Sequence, residues 1–265
     1  ANTTGSFNSA LGTDALGANT AGYFNVAVGY QTLDANTTGT ENTAVGYAAL
    51  GANTTGKQNV AVGSRALAAA TTATGNVAVG HAALMQNTTG GNNTASGYQA
   101  LYSNTSTNNY NSAFGYKALY ANGAAGAAGG EYNVAVGYQA LDANTTGSWN
   151  TAVGSDALGA NTTGAHNTVL GYQTLNNASM TAGNDNIALG YQAGAALTSG
   201  SNNIYLGYTV TGTGAESNTI RIGNAGNATT YLRGNIFIDD AHIIGQKALG
   251  DFTVATTQDL LTLTL

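Results

Sequence analysis

An asparagine followed four residues later by a glycine, around a small apolar run, recurs twelve times along this chain. The first six copies begin at Asn8, Asn25, Asn42, Asn59, Asn76 and Asn93, a fixed 17 residues apart. The interval lengthens at Asn111 and Asn133, resumes at Asn150 and Asn167, lengthens again at Asn186 and reaches Asn203. A period this short cannot repeat a globular domain. It is one rung of a stacked array, in which each unit buries its apolar face only against its neighbours.

Numbering each rung from its asparagine gives the pattern N-[TVS]-A-[VL]-G-Y-x-A-L-x-A-N-T-T-G-x-x. Position 3 is Ala in ten of the twelve copies and position 4 is apolar in eleven, with Ser96 the exception. Val- and Thr-rich alternation over so few residues predicts a strand, with positions 2 and 4 on one face and 3 and 5 on the other. The Ala/Gly face must lie against something very close. Neither face reads as purely solvent-exposed, which points to packing between chains as well as within one. Position 9 is Leu in each of the first ten rungs and predicts a second buried strand or a short corner. Asn-Thr-Thr-Gly then closes the rung at 36–39, 53–56, 87–90, 144–147 and 161–164, a turn built from residues that tolerate left-handed backbone. Two short strands and two turns per rung are therefore expected. A helical solenoid is disfavoured because its segments would span only four or five residues between glycines.

Composition fits a ladder. The chain has no proline, which would remove a ladder donor, and no cysteine for disulfides or thiolate metal sites. Only 7% of residues are charged, against roughly 25% in ordinary soluble domains. The surface is thus neutral and rich in Asn, Thr, Ser and Gln, suited to carbohydrate or other neutral partners. A net charge of −6 without a basic tract argues against nucleic acid as a partner. No apolar run approaches the ~20 residues of a membrane span, so no membrane insertion is expected.

The fold class expected is all-β, a parallel β-roll or β-solenoid of about 12 rungs over residues 1–215. A β-rich capping or trimerisation segment is expected over 216–265, where the Asn-Thr-Thr-Gly turn disappears and Leu261, Leu263 and Leu265 alternate with Thr. So apolar a terminal strand is expected to pair with neighbouring chains. The repeat is also broken by a Gly/Ala-rich insertion over 123–130 and by extra residues around Met180.

The motifs Asn25-Val-Ala-Val-Gly29, Asn42-Thr-Ala-Val-Gly46 and Asn133-Val-Ala-Val-Gly137 resemble the head repeats of trimeric autotransporter adhesins. The longer form, NTAVGYxAL followed by NTTG, is similar to repeats of phage tail-fibre and related bacterial surface proteins, many of which carry a C-terminal self-cleaving intramolecular chaperone. Asn218-Thr-Ile-Arg-Ile-Gly223 and Thr230-Tyr-Leu232 are similar to the segment that precedes it. The resemblance implies a left-handed roll, a homotrimer and an extracellular place on a virion tail fibre or a bacterial surface. It would set Ala44 and Gly46 near a chain interface or a tight corner. The 17-residue period is longer than the autotransporter rung, so roll shape and packing can differ.

Little in the sequence suggests catalysis. Asp14 and Asp156 share position 7, and Asp34 and Asp142 share position 10, on rungs too far apart for a carboxylate couple. No neighbouring rungs are expected to pair carboxylates. Asp239, Asp240 and His242 read as a solvated turn, and His81 and His166 as isolated substitutions. The expectation is no catalytic residue, no metal site and no cofactor. The fixed slots, exemplified by Asn25, Gly29, Leu33, Asn42, Gly46, Leu50, Asn59, Gly63 and Leu67, build the rung. Position 17 varies yet is repeatedly aromatic, with Phe7, Phe24, Tyr132 and Trp149, and Tyr110 beside a one-residue insertion. Exposed aromatics on a neutral surface suit a host-surface glycan or protein, and the competing reading is hydrophobic stapling of the turn. The function expected is a non-enzymatic fibre or adhesin segment, with a receptor-free spacer or filament subunit as the alternative.

Overall fold

The structure is a computed structural model that describes residues 3–105, 109–123, 129–177, 182–224 and 226. The apolar stretches beyond 226, the Asp239/Asp240/His242 group, Met180 and the centre of the Gly/Ala insertion lie outside them. The described residues form one parallel sheet of thirteen strands in strict chain order. These are β1 (Ser9–Leu11), β2 (Val26–Val28), β3 (Thr43–Val45), β4 (Val60–Val62), β5 (Val77–Val79), β6 (Thr94–Ser96) and β7 (Ser112–Phe114). They continue as β8 (Val134–Val136), β9 (Thr151–Val153), β10 (Thr168–Leu170), β11 (Ile187–Leu189), β12 (Ile204–Leu206) and β13 (Ile220–Ile222). The chain is therefore a parallel β-solenoid. Equivalent slots stack in register, Val26 on Thr43 and Ala27 on Ala44, about 4.8 Å apart. No helix occurs among the described residues, and none is long and apolar enough to cross a membrane.

Each strand is only three residues long because position 5 turns the chain. Gly29, Gly46 and Gly63 sit at φ 134°, 127° and 134°, and a Cβ on Gly63 would lie 2.5 Å from the Gly80 carbonyl oxygen. Only glycine fits that corner. The second expected strand does not form. Positions 7 and 9 are both left-handed, as in Gln31 (φ 53°) and Leu33 (φ 51°), so the segment is a corner. It still bonds rung to rung, with Gln31 N–H donating to Thr13 and Leu33 N–H to Ala49. Left-handed geometry costs a non-glycine residue about 1–2 kcal/mol. Burying a leucine returns about 1.5–3 kcal/mol, which offsets it, and Leu33, Leu50 and Leu67 are completely buried.

The inward alanines at position 3, Ala27 through Ala152, face that leucine column and are equally buried. Ala44 thus packs inside its own roll, and Gly46 forms a tight corner of it. The larger side chains of positions 2 and 4 point outward, with Val26, Val62, Val79, Phe114, Leu170, Ile187 and Leu189 exposed.

Two columns of buried asparagine complete the interior. At position 1, Asn42 donates from its backbone N–H (3.0 Å) and Nδ2 (3.1 Å) to Asn25 Oδ1, and from Nδ2 to Gly56 O at 2.9 Å. At position 12, Asn36 Nδ2 donates to Asn19 Oδ1 at 2.8 Å and to Gly39 O at 3.1 Å. Both columns donate toward the N-terminal neighbour. The threonine column at position 13 donates the other way. Thr37, Thr38 and Gly39 N–H converge on Thr54 O, joined by Thr37 Oγ1 at 3.0 Å.

The pattern changes in the last rungs. Gly194 replaces the position 9 leucine, and Tyr205 on β12 replaces the inward alanine; Leu175 and the Tyr205 ring together fill the space that a Cβ on Gly194 would need. Tyr205 is fully buried, and its hydroxyl donates to Glu216 Oε1 at 2.8 Å. Arg221 on β13 grips both carboxylate oxygens of Glu216, Nε to Oε1 at 3.0 Å and Nη2 to Oε2 at 2.6 Å. Thr219, not Asn218, takes the first slot of this rung, its N–H bonding Asn203 Oδ1 at 3.0 Å.

Candidate recognition surface

Position 17 is left-handed in every rung of the ladder, from Phe7 (φ 57°) to Asn218 (φ 58°). That backbone turns the side chain outward, just ahead of the buried position 1 asparagine. The five aromatics singled out in the sequence are all exposed: Phe7 76%, Phe24 53%, Tyr110 50%, Tyr132 43% and Trp149 56%. They form two clusters. Phe7 stacks on Phe24 at 5.0 Å between centroids, with Tyr23 edge-on to Phe24. Tyr110, Tyr132 and Trp149 form a second stack with spacings of 4.9 and 5.5 Å. Glu41, Gln58, Gly75 and Asn92 occupy the slot between the clusters.

His166 extends the second stack to four rings, 5.3 Å from Trp149, and its Nδ1 lies 3.4 Å from Asp185 Oδ1. From the sequence it stands at a variable position before Asn167 with no second imidazole nearby. The signal that finds it is its slot, position 17, directly after Trp149 in the array. Parallel rings in contact are ~3.5–4 Å apart, so the longer centroid spacings here mean offset, shingled rings. Each ring covers part of its neighbour's face and leaves a strip open.

A second aromatic row runs at position 6. His81, Tyr98, Tyr116 and Tyr138 stack at 5.2, 5.3 and 5.1 Å, and Tyr172, Tyr191 and Tyr208 at 5.3 and 5.1 Å. His81 thus works as a ring in that stack. From Phe24 through Val26 and Val28 to Tyr30, every second residue faces outward while Asn25 and Ala27 are buried. The two aromatic rows therefore flank the outward strand face, which is apolar in most rungs and polar at Thr94 and Ser96.

The carboxylates correct one sequence argument. Asp142 at position 10 and Asp156 at position 7 lie on consecutive rungs, and comparing only like positions hid the pair. Burial, and then the charge of Asp156, raise Asp142 to about 6. Gln139 Nε2 donates to Asp142 and Ser155 Oγ to Asp156, both at 3.3 Å. Asp14 and Asp34 hold these slots in the reverse order, position 7 on the first rung and position 10 on the second. No group of three or more His, Cys, Asp or Glu side chains placed to hold a metal ion occurs among the described residues. The Asn-Thr-Thr motifs place Asn36, Asn53, Asn87, Asn144 and Asn161 in the buried position 12 column, beyond the reach of a glycosylating enzyme in the folded chain.

A scan against family models and searches of the curated proteins and of the solved structures find no match to this chain.

Proposed function

We propose that this chain is a non-enzymatic fibre or adhesin segment, a rigid homotrimeric rod that acts outside the cell and attaches to a host or cell-surface receptor, with a glycan as the favoured class. The observation that carries the proposal is the outward strand face. It exposes Val, Ile, Leu or Phe in nine of the thirteen strands of a single chain, and an apolar surface repeated in this way marks an interaction site. Two further copies of the chain are its occupant in this reading, with the neutral Thr, Ser and Asn faces left for the receptor. Threefold repetition then multiplies weak individual contacts by avidity. Neither nucleic acid nor a membrane is a partner in this reading.

A spacer without a receptor is the second reading, and the shingled rings favour it. Rings that cover one another staple the turns and leave only strips of face for a sugar. Solution mass by light scattering tests the assembly, since a folded monomer sinks the trimer. Charging the strand face with Val62→Lys and Val79→Lys should convert a trimer to monomers. A glycan array then separates the readings: binding supports the adhesin, and a clean negative from a folded trimer leaves the spacer.

A further inference from the structure

The tyrosines form ladders whose geometry does more than pack. Tyr98, Tyr116 and Tyr138 are 44%, 40% and 51% exposed, and adjacent rings lie within 7° of parallel. Tyr172, Tyr191 and Tyr208 repeat the arrangement, Tyr110 stacks on Tyr132, and Tyr30 lies 5.9 Å from Tyr47. Tyr102 and Tyr120 at position 10 stack at 5.2 Å, with the Lys117 ammonium 5.1 Å from the Tyr120 ring. Because the rings are nearly parallel and related by one rung, each ortho carbon has its equivalent on the next ring about one centroid spacing away. The position 6 tyrosines are open to solvent while Tyr102 and Tyr120 are half-buried, and the rungs that carry them are fixed in register by the backbone and asparagine ladders.

We propose that these ladders are sites of oxidative tyrosine cross-linking, which staples consecutive rungs of one chain covalently in a protein that contains no cysteine. The oxidant is hydrogen peroxide acting through a haem peroxidase. Each of two neighbouring phenols gives up one electron and one proton and becomes a phenoxyl radical. The radicals join through their ortho carbons. Each ring then loses its ortho hydrogen as a proton and regains one on oxygen, restoring both phenols. Peroxide takes up the two electrons and two protons and leaves as two waters, so the protein loses two hydrogen atoms per link.

Register decides which tyrosines react. A radical on Tyr116 has Tyr98 and Tyr138 held beside it, and it couples once the peroxidase oxidises one of these to a second radical. Tyr23 is a built-in control: it is 43% exposed, but its stacking partner is Phe24. Tyr205 is a second control, being buried and bonded to Glu216. Once Tyr116 has joined one neighbour, the other is left without an adjacent phenol, so a three-ring ladder first yields one link.

The test treats the folded chain with a haem peroxidase and peroxide and follows dityrosine fluorescence, intact mass and peptide mapping. The expected result is a loss of two hydrogens per link at unchanged single-chain mobility on a denaturing gel, with links mapping to the 98/116/138 and 172/191/208 ladders. Tyr116→Phe keeps the ring stack and should abolish links in its own ladder while leaving the other unchanged. Three outcomes overturn the proposal. They are no dityrosine in a folded chain, Tyr23 linking as readily as Tyr116, or products dominated by chain-to-chain bands. Circular dichroism of the Tyr116→Phe variant separates loss of the link from loss of the fold.

Discussion

Between Asn19 and Asn161 the second asparagine column is broken only at Ala70, and the break leaves a measurable debt. Asn53 Oδ1, which Ala70 cannot serve, is buried without a hydrogen-bond partner. Position 15 explains why a single substitution will not repair it. In the neighbouring rungs a Cβ at that position would sit 2.3 Å from the rung's own asparagine Oδ1, as at Gly39 and Gly56. The broken rung has Ala73 there, tolerated because Ala70 has no amide. Ala70→Asn alone should therefore clash with the Ala73 methyl, and Ala73→Gly alone should cost about 1 kcal/mol in backbone entropy. Together they restore the Asn/Gly pair. A new Nδ2 at position 70 would serve Asn53 Oδ1 and relieve a penalty of about 1–3 kcal/mol. Asn87 Nδ2, now bonded to Gly90 O at 2.8 Å, would gain a second acceptor worth about 1 kcal/mol. After the glycine cost, the net gain is about 2 kcal/mol. Repeat arrays unfold without strict two-state behaviour, so native-state hydrogen exchange is the suitable assay. Amides flanking the repaired rung, such as those of Thr54 and Thr71, should exchange about thirtyfold more slowly. A double variant no more protected than the parent, or effects that simply add, would refute the reasoning.

Other expectations follow from the same geometry. Gly63→Ala forces a Cβ against the Gly80 carbonyl at φ 134° and should cost at least about 2 kcal/mol, read as a lower thermal midpoint. Arg221, and then Tyr205 and Thr213, hold Glu216 near a pKa of about 2, below its ordinary 4.5. Its contribution should be fully present above pH ~4.5 and be lost as pH falls toward 2, so acid titration should loosen the β12–β13 end first, and Glu216→Gln should remove that dependence. Asp142 has the opposite sign. With its pKa raised from 3.8 to about 6, the folded chain holds the proton longer, so stability should fall as pH rises across that window. Asp142→Asn should flatten this slope in thermal melts between pH 4 and 7.

Much of the rung is legible in the sequence because its slots are chemically exclusive. Asparagine at position 1 is needed to bond forward and backward at once, and glycine at position 5 because nothing else fits. The corner at positions 7 and 9 is harder to see, since Gln31 and Leu33 carry no local sign of a left-handed backbone that tertiary burial imposes. The outward strand face was equally hidden. Alternation usually puts the larger residues inside, but here the leucine column fills the interior and leaves room only for Ala27 and its equivalents. Asp142 and Asp156 escaped notice because the corner lets position 10 of one rung approach position 7 of the next. His166 was legible only by counting slots. In each case the missing information was lateral, a matter of what lies one rung away.

The opposed directions of the side-chain columns have a consequence for length. Where the two asparagine columns are unbroken, as at Asn36 and Asn42, each amide donates to the asparagine of the rung on its N-terminal side, so these bonds point one way along the axis. The threonine column and the peptide groups that converge on it point the other way. In rungs that carry both sets, the two axial moments oppose each other. Adding such rungs therefore builds up less charge at the ends than bonds all pointing one way would. A chain with so few ionic groups can extend this ladder without counterions or capping charges, and its length is free to be set by the task.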